Sequence, residues 1–167
     1  RGSSPATIES SKLVDWYGLI GDHVTEVSDA PQAYTQERLK GVATWVSLPV
    51  EYWPEHFHKI EDPVVPLYFS LYGHPDAGTF WEEKSHNKIL SEGFQRTSSD
   101  SLFWHPKHKA LLMVYVDDFR MSGPKAGLDQ VWKSLTSGKN ALTLDPPKPP
   151  DRELGCYHRV FDTTVNG

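Results

Sequence analysis

Seven consecutive apolar positions, Ala110 to Val116, stop abruptly at two adjacent carboxylates, Asp117 and Asp118. A shorter run, Phe119 to Met121, follows, and Gly123-Pro124 closes it. This pattern predicts a β-hairpin: a buried strand, a tight turn carrying both aspartates, and a returning strand. Upstream, Leu13, Val14, Trp16, Tyr17 and Leu19 within Ser10–Leu19 predict an amphipathic helix, ended by Gly18 or Gly21. His23 to Asp29 carries β-branched residues and no breaker, and predicts a strand that ends at Asp29. Pro31–Leu39 predicts a helix with Pro31 in its first turn, where the missing N–H costs little.

The middle of the chain alternates short elements. Thr44–Pro49 predicts a short strand, and Glu51–Pro66 a loop rich in Trp, Tyr, His and Pro. A helix is predicted from about Ala77 to Glu92, with Phe80, Trp81, Ile89 and Leu90 facing a sheet and Gly93 as its stop. Phe94–Arg96 and Leu102–His105 predict short strands, and Pro106–Lys109 a turn into the apolar strand. Past the hairpin, Leu128, Val131, Trp132 and Leu135 line one face of a helix over Ala126–Leu135. Leu142–Leu144 predicts a strand, Asp145–Pro150 a loop with four prolines, and Leu154–Phe161 a closing strand. Residues 1–7 are rich in Gly, Ser and Pro and are expected to be loose.

Composition narrows the class. The chain has 167 residues, enough for one domain with a real core. No apolar run approaches the ~20 residues of a membrane-spanning helix. The opening Arg-Gly-Ser-Ser-Pro shows no signal-peptide pattern and no Met, as expected of a fragment or a processed product. The net charge is −5, which weighs against strong unaided nucleic-acid binding. Local basic groups are Lys84 with Lys88, and Lys107-His108-Lys109. Cys156 is the only cysteine, so no internal disulfide can form. An intracellular setting, cytoplasmic or organellar, is the expectation.

The chemistry concentrates at the aspartates. Adjacent carboxylates at the tip of an apolar strand repel each other, and partial burial raises their pKa values unless a cation neutralises them. A divalent ion with hard oxygen ligands, such as Mg²⁺, answers that need. A plain polar hairpin tip is the alternative. Asp29 can likewise be read as a helix cap. His56 with His58, and Cys156 with His158, have the spacing of metal pairs, but loop histidines and an alternating strand explain them more simply.

Four motifs in order carry a family resemblance. Leu111-Leu112-Met113-Val114-Tyr115-Val116-Asp117-Asp118 resembles the catalytic hairpin of copia-type LTR-retrotransposon reverse transcriptases. Asp29 followed by Tyr34 resembles the family's strand-ending Asp and the aromatic five residues later. Leu71-Tyr72-Gly73, a polar loop and Trp81 resemble its Leu-Tyr-Gly segment and Trp-bearing helix. Leu154-Gly155 resembles its Leu-Gly before a late strand. The chain departs from the family at Asp76, which falls where a nucleotide-contacting Gln stands, and at Thr79, where a basic residue stands.

The resemblance implies a single reverse-transcriptase-like domain over residues 1–167, made of partial fingers and palm. The implied fold is α+β: an antiparallel-sheet polymerase palm of the ferredoxin-like kind, with helices packed on one face. The implied activity is RNA-directed DNA polymerisation by two-metal nucleotidyl transfer, with Mg²⁺ or Mn²⁺. Asp29, Asp117 and Asp118 would be catalytic and would hold the metal, with the Ala30 carbonyl adding a ligand. Tyr34 and Asp76 would meet the nucleotide. Tyr115, Leu154 and Gly155 would meet the primer and template. Expected partners are an RNA/DNA primer-template, a dNTP, and protein that completes the fingers and thumb or a larger assembly. The alternative is a transposon-derived, catalytically inactive module reused as a structural subunit.

Overall fold

The computed structural model describes residues 8–153 together with 156, 157, 159 and 161. The elements run α1 (Ile8–Gly18), β1 (His23–Asp29), β2 (Trp45–Ser47), β3 (Val64–Pro66), α2 (Ala77–Ser91), β4 (Gln95–Arg96), β5 (Leu102–His105), β6 (Ala110–Tyr115), β7 (Asp118–Pro124) and α3 (Lys125–Leu135). Two short strands, β8 (Arg152–Glu153) and β9 (Cys156–Tyr157), pair with each other. The main sheet has five strands in the order β1-β7-β6-β5-β4, and every neighbouring pair is antiparallel. The β2–β3 pair stands apart as a separate ribbon.

β6 organises the core because both of its faces are buried. A continuous apolar run suits such a strand, whereas a half-exposed strand would alternate with polar residues. On one face, Leu112 and Val114 join Phe103, Phe119 and Met121. Trp81 and Ile89 of α2, and Leu128, Val131, Trp132 and Leu135 of α3, cover that face. On the other face, Leu111, Met113 and Leu102 pack with Val14 of α1. The expectation of helices on one face therefore fails: α2 and α3 share one face and α1 takes the other. The physical reason lies in β6, whose second apolar row would otherwise be left in water.

The two coverings are unequal. α3 buries four apolar side chains, each worth ~1.5–3 kcal/mol when fully removed from water. α1 buries only Val14 among its large apolar residues, and Leu13 and Trp16 stay exposed. Polar ties therefore matter more for α1. The Tyr17 hydroxyl donates to the Lys109 carbonyl, and Arg120 pairs with Asp15.

Three expected elements take other forms. The helix expected over Pro31–Leu39 is a single 3-10 turn, Ala33–Gln36. Gln32 is left-handed (φ 52°) and Glu37 is already extended, so the helix can propagate in neither direction. The Gln36 side chain instead ties the Pro31 carbonyl to Thr143. Leu142–Leu144 forms no strand. This segment reaches the outer edge of β1 at Asp145 and Lys148, where Asp145 N–H donates to Asp29 and Lys148 pairs with Val27. Pro146, Pro147, Pro149 and Pro150 lack the N–H groups a full ladder needs. The loop expected over Glu51–Pro66 holds two 3-10 turns and ends in β3. Of the expected strand Leu154–Phe161, Cys156–Tyr157 forms β9, while half of its residues and the expected loose segment 1–7 lie outside the described residues.

Gly123 sits where β7 passes closest to the start of β6. Its φ is +153°, and a Cβ there would meet the Lys109 carbonyl oxygen at 2.5 Å and Ala110 Cα at 3.3 Å. Both are backbone atoms of the neighbouring strand and cannot swing aside. Gly123→Ala is expected to lower the unfolding free energy by about 1–3 kcal/mol, read from urea denaturation against the parent chain.

Candidate active site

β1 and β7 pair in register from His23 with Pro124 to Asp29 with Asp118. The last pair of that ladder places two carboxylates side by side. β6 and β7 close their hairpin at Tyr115 with Asp118, leaving Val116 and Asp117 as a two-residue turn. Asp117 is tied back to β1, because the Ala30 N–H donates to the Asp117 carbonyl at 2.8 Å. Asp29 is held from its other side, where its own carbonyl accepts from Asp145 N–H at 2.8 Å. Strand pairing thus brings Asp29, Ala30, Asp117 and Asp118 together at one end of the sheet.

The turn is strained. Val116 has φ +55°, a left-handed conformation that costs a non-glycine residue about 1–2 kcal/mol. Two-residue hairpins that need a positive φ at this position usually use Gly, Asn or Asp. Trp81 supplies the restraint: its buried indole N–H donates to the Val116 carbonyl at 2.6 Å. One such hydrogen bond contributes about 0.5–1.5 kcal/mol, the same scale as the strain.

Charge is concentrated here. The Asp118 carboxyl is pushed up to about 6. Burial is the main cause, followed by the charges of Asp117 and Asp29 and a hydrogen bond with Asp29. Arg120, nearly fully buried two residues along β7, opposes the rise and pairs with Asp15 of α1. Asp29, Asp118, Tyr115 and Arg120 line a cleft beneath α1 together with Ser11, Val27, Met113 and Phe119.

Tyr34 reaches the group from the other side of the sheet. Its ring packs on Tyr72, with centroids 4.5 Å apart. Its hydroxyl pKa is raised by burial first, then by Tyr72, Asp117 and Tyr115. Tyr34 also shares a cleft with Gly78, Trp81 and Val116. Asp76 stands exposed before α2, its N–H donating to His74 Nδ1. Among the described residues, no hydrogen bond or ion pair ties Asp76 to the carboxylates. Leu154 and Gly155 lie outside the described residues, as does His158. His56 and His58 sit on a 3-10 turn, where their rings pack against Phe57 and Trp53 respectively.

Among the described residues, no group of three or more His, Cys, Asp or Glu side chains is arranged to hold a metal ion. The carboxylates nevertheless have the chemistry of a divalent oxygen site. Mg²⁺ commonly takes one or two protein carboxylates and fills its shell with water and phosphate oxygens, so a three-ligand cage is not required. Three residues important to the geometry carry no site role in the expectations drawn from the chain: Arg120, Tyr72 and Trp81. Arg120 has a visible signal, a cation inside an apolar strand. Tyr72 has one in its motif. The Trp81 N–H has none, because its partner is a backbone carbonyl in a distant turn. Comparison with protein-family models, curated proteins and solved structures finds no match to this chain.

The raised Asp118 pKa fixes the sign of a pH effect. Between about 4 and 6 the folded chain keeps a proton that the unfolded chain has released, so stability falls as pH rises through this window. The half-buried carboxyl is partly screened by solvent, which reduces the nominal value to about 1 kcal/mol. Urea denaturation from pH 4 to 7 is expected to show this loss, and Asp118→Asn to remove it.

Proposed function

We propose that this chain is a reverse-transcriptase-like palm that supports two-metal nucleotidyl transfer, that is, RNA-directed DNA polymerisation. The observation that carries the reading is Asp29 opposite Asp118, with Asp117 in the adjoining turn. The strand arrangement supports it as well. Residues 145–148 flank β1, followed by β7 and then β6, with α2 between β1 and β6 and α3 after β7. That order supports a β-α-β-β-α-β reading, in which a single bridge at Lys148 stands where a ferredoxin-like palm has its last strand.

Within this reading, Asp29, Asp117 and Asp118 would hold the divalent cations, Mg²⁺ or Mn²⁺, with the Ala30 carbonyl beside them. When bound, such an ion lowers the pKa of the attacking hydroxyl and neutralises the triphosphate. The primer 3′-hydroxyl gives its proton to solvent as its oxygen bonds to the α-phosphorus, the bond from that phosphorus to the β-phosphate oxygen breaks, and pyrophosphate leaves. Tyr34, fixed against Tyr72, bounds the nucleotide sugar. Tyr115, on the cleft that Asp118 lines, packs against the primer-template.

A second reading is an inactive, transposon-derived module that serves as a structural subunit. The exposed Trp45, Tyr52, Tyr68 and Phe69 around the β2–β3 ribbon favour it. Primer extension on an RNA template, with Mg²⁺ or Mn²⁺, separates the two. Metal-dependent extension that Asp117→Asn/Asp118→Asn abolishes is expected. No extension, even when fingers and thumb segments are supplied, would exclude polymerase activity for this chain.

A further inference from the structure

We infer that Trp81 is a positioning residue: its indole N–H, by holding the Val116 carbonyl, fixes the turn that sets Asp117 and Asp118 beside Asp29. Three observations converge on it. Trp81 is 1% exposed and sits on α2, a helix anchored in the main core, so its N–H is a fixed point. Val116 is β-branched with φ +55°, a state that persists only when its surroundings impose it. The Val116 carbonyl belongs to the peptide unit that leads into Asp117. Releasing it lets that unit rotate and carries the Asp117 side chain with it.

The turn has a second tie, from the Ala30 N–H to the Asp117 carbonyl. Its two carbonyls are thus gripped by two different elements, α2 and the end of β1. The Ala30 bond depends on the Asp117 carbonyl keeping its direction, so the two ties are coupled. A buried tryptophan N–H needs an acceptor, and here that acceptor is the carbonyl of the strained turn residue itself. The 2.6 Å hydrogen bond gives this one a directional task. The inference bears on cation binding through the polymerase reading, on which it rests. The turn geometry stands apart from that reading.

The test combines two readouts. Amide hydrogen exchange at Ala30 reports the turn, with Val27 as a reference because its N–H goes to Lys148. Mn²⁺ binding, followed by water-proton relaxation, reports the carboxylates. In Trp81→Phe, Ala30 is expected to exchange at least ~10-fold faster relative to Val27, and Mn²⁺ affinity to fall at least ~5-fold. Adding Val116→Gly relieves the backbone strain. The double variant should recover Ala30 protection to within about twofold of the parent, a non-additive rescue that mere core filling would not give. Replacing Trp81 by benzothienylalanine keeps the bicyclic shape without the N–H, and serves if the Phe variant fails to fold. Unchanged Ala30 exchange relative to Val27 in that variant would overturn the inference. Loss of Ala30 protection in a chain whose parent binds no Mn²⁺ would uphold the clamp and sink the metal reading instead.

Discussion

Everything at the carboxylate end depends on the register between β1 and β7. Seven residue pairs lock it, from His23 with Pro124 to Asp29 with Asp118. A slip by one residue would send each β1 side chain to the opposite face of the sheet. Val27 would leave its cleft and Asp29 would turn away from Asp118. Buried polar partners reinforce the register. Thr25 meets Ser122 across the ladder at 2.7 Å, and Glu26 accepts from the Trp132 indole at 3.0 Å. A one-step shift would break both bonds and leave Glu26 without its buried donor, a loss of about 1–3 kcal/mol for that group.

The same register gathers charge in a place the core tolerates poorly. Asp118 sits between two carboxylates, with Arg120 and Asp15 beyond it. Arg120 belongs to both neighbourhoods, since it pairs with α1 and also opposes the rise in the Asp118 pKa. α1 is thereby coupled electrostatically to the carboxylates although it buries little apolar surface. The other face of the sheet is covered independently, by the larger side chains of α2 and α3.

Much of this was legible in the chain. The periodic stretches that give α1, α2 and α3, and the apolar runs that give β1, β5, β6 and β7, lie where the pattern puts them. The proximity of Asp29 to Asp118 followed from the resemblance and from their places at strand ends. Other features depend on tertiary contacts that no local pattern records. Pro31–Leu39 has helical composition, yet Gln32 turns left-handed and Arg38 pairs with Phe69, which draws the chain out straight. Leu142–Leu144 has strand composition, yet Thr143 is engaged by the Gln36 side chain instead. The covering of both sheet faces was present in the Leu111, Leu112, Met113, Val114 run, where neighbouring residues point to opposite sides. The grip of Trp81 on Val116 was invisible, since a backbone carbonyl 35 residues away leaves no trace in composition.

The proline-rich segment beside β1 has a consequence for how this molecule can meet others. It occupies the outer margin of β1 at Val27 and Asp29, and its prolines have no backbone N–H to donate. The opposite margin ends in β4, only two residues long, with Arg96 at its tip. Short, charged or proline-covered margins are how sheets avoid templating a foreign strand. Main-chain zippering is therefore restricted at the Val27–Asp29 end of one margin and minimal at the other. A molecule that engages the carboxylate end of the main sheet meets side chains rather than free backbone, so recognition there is chemical and residue-specific.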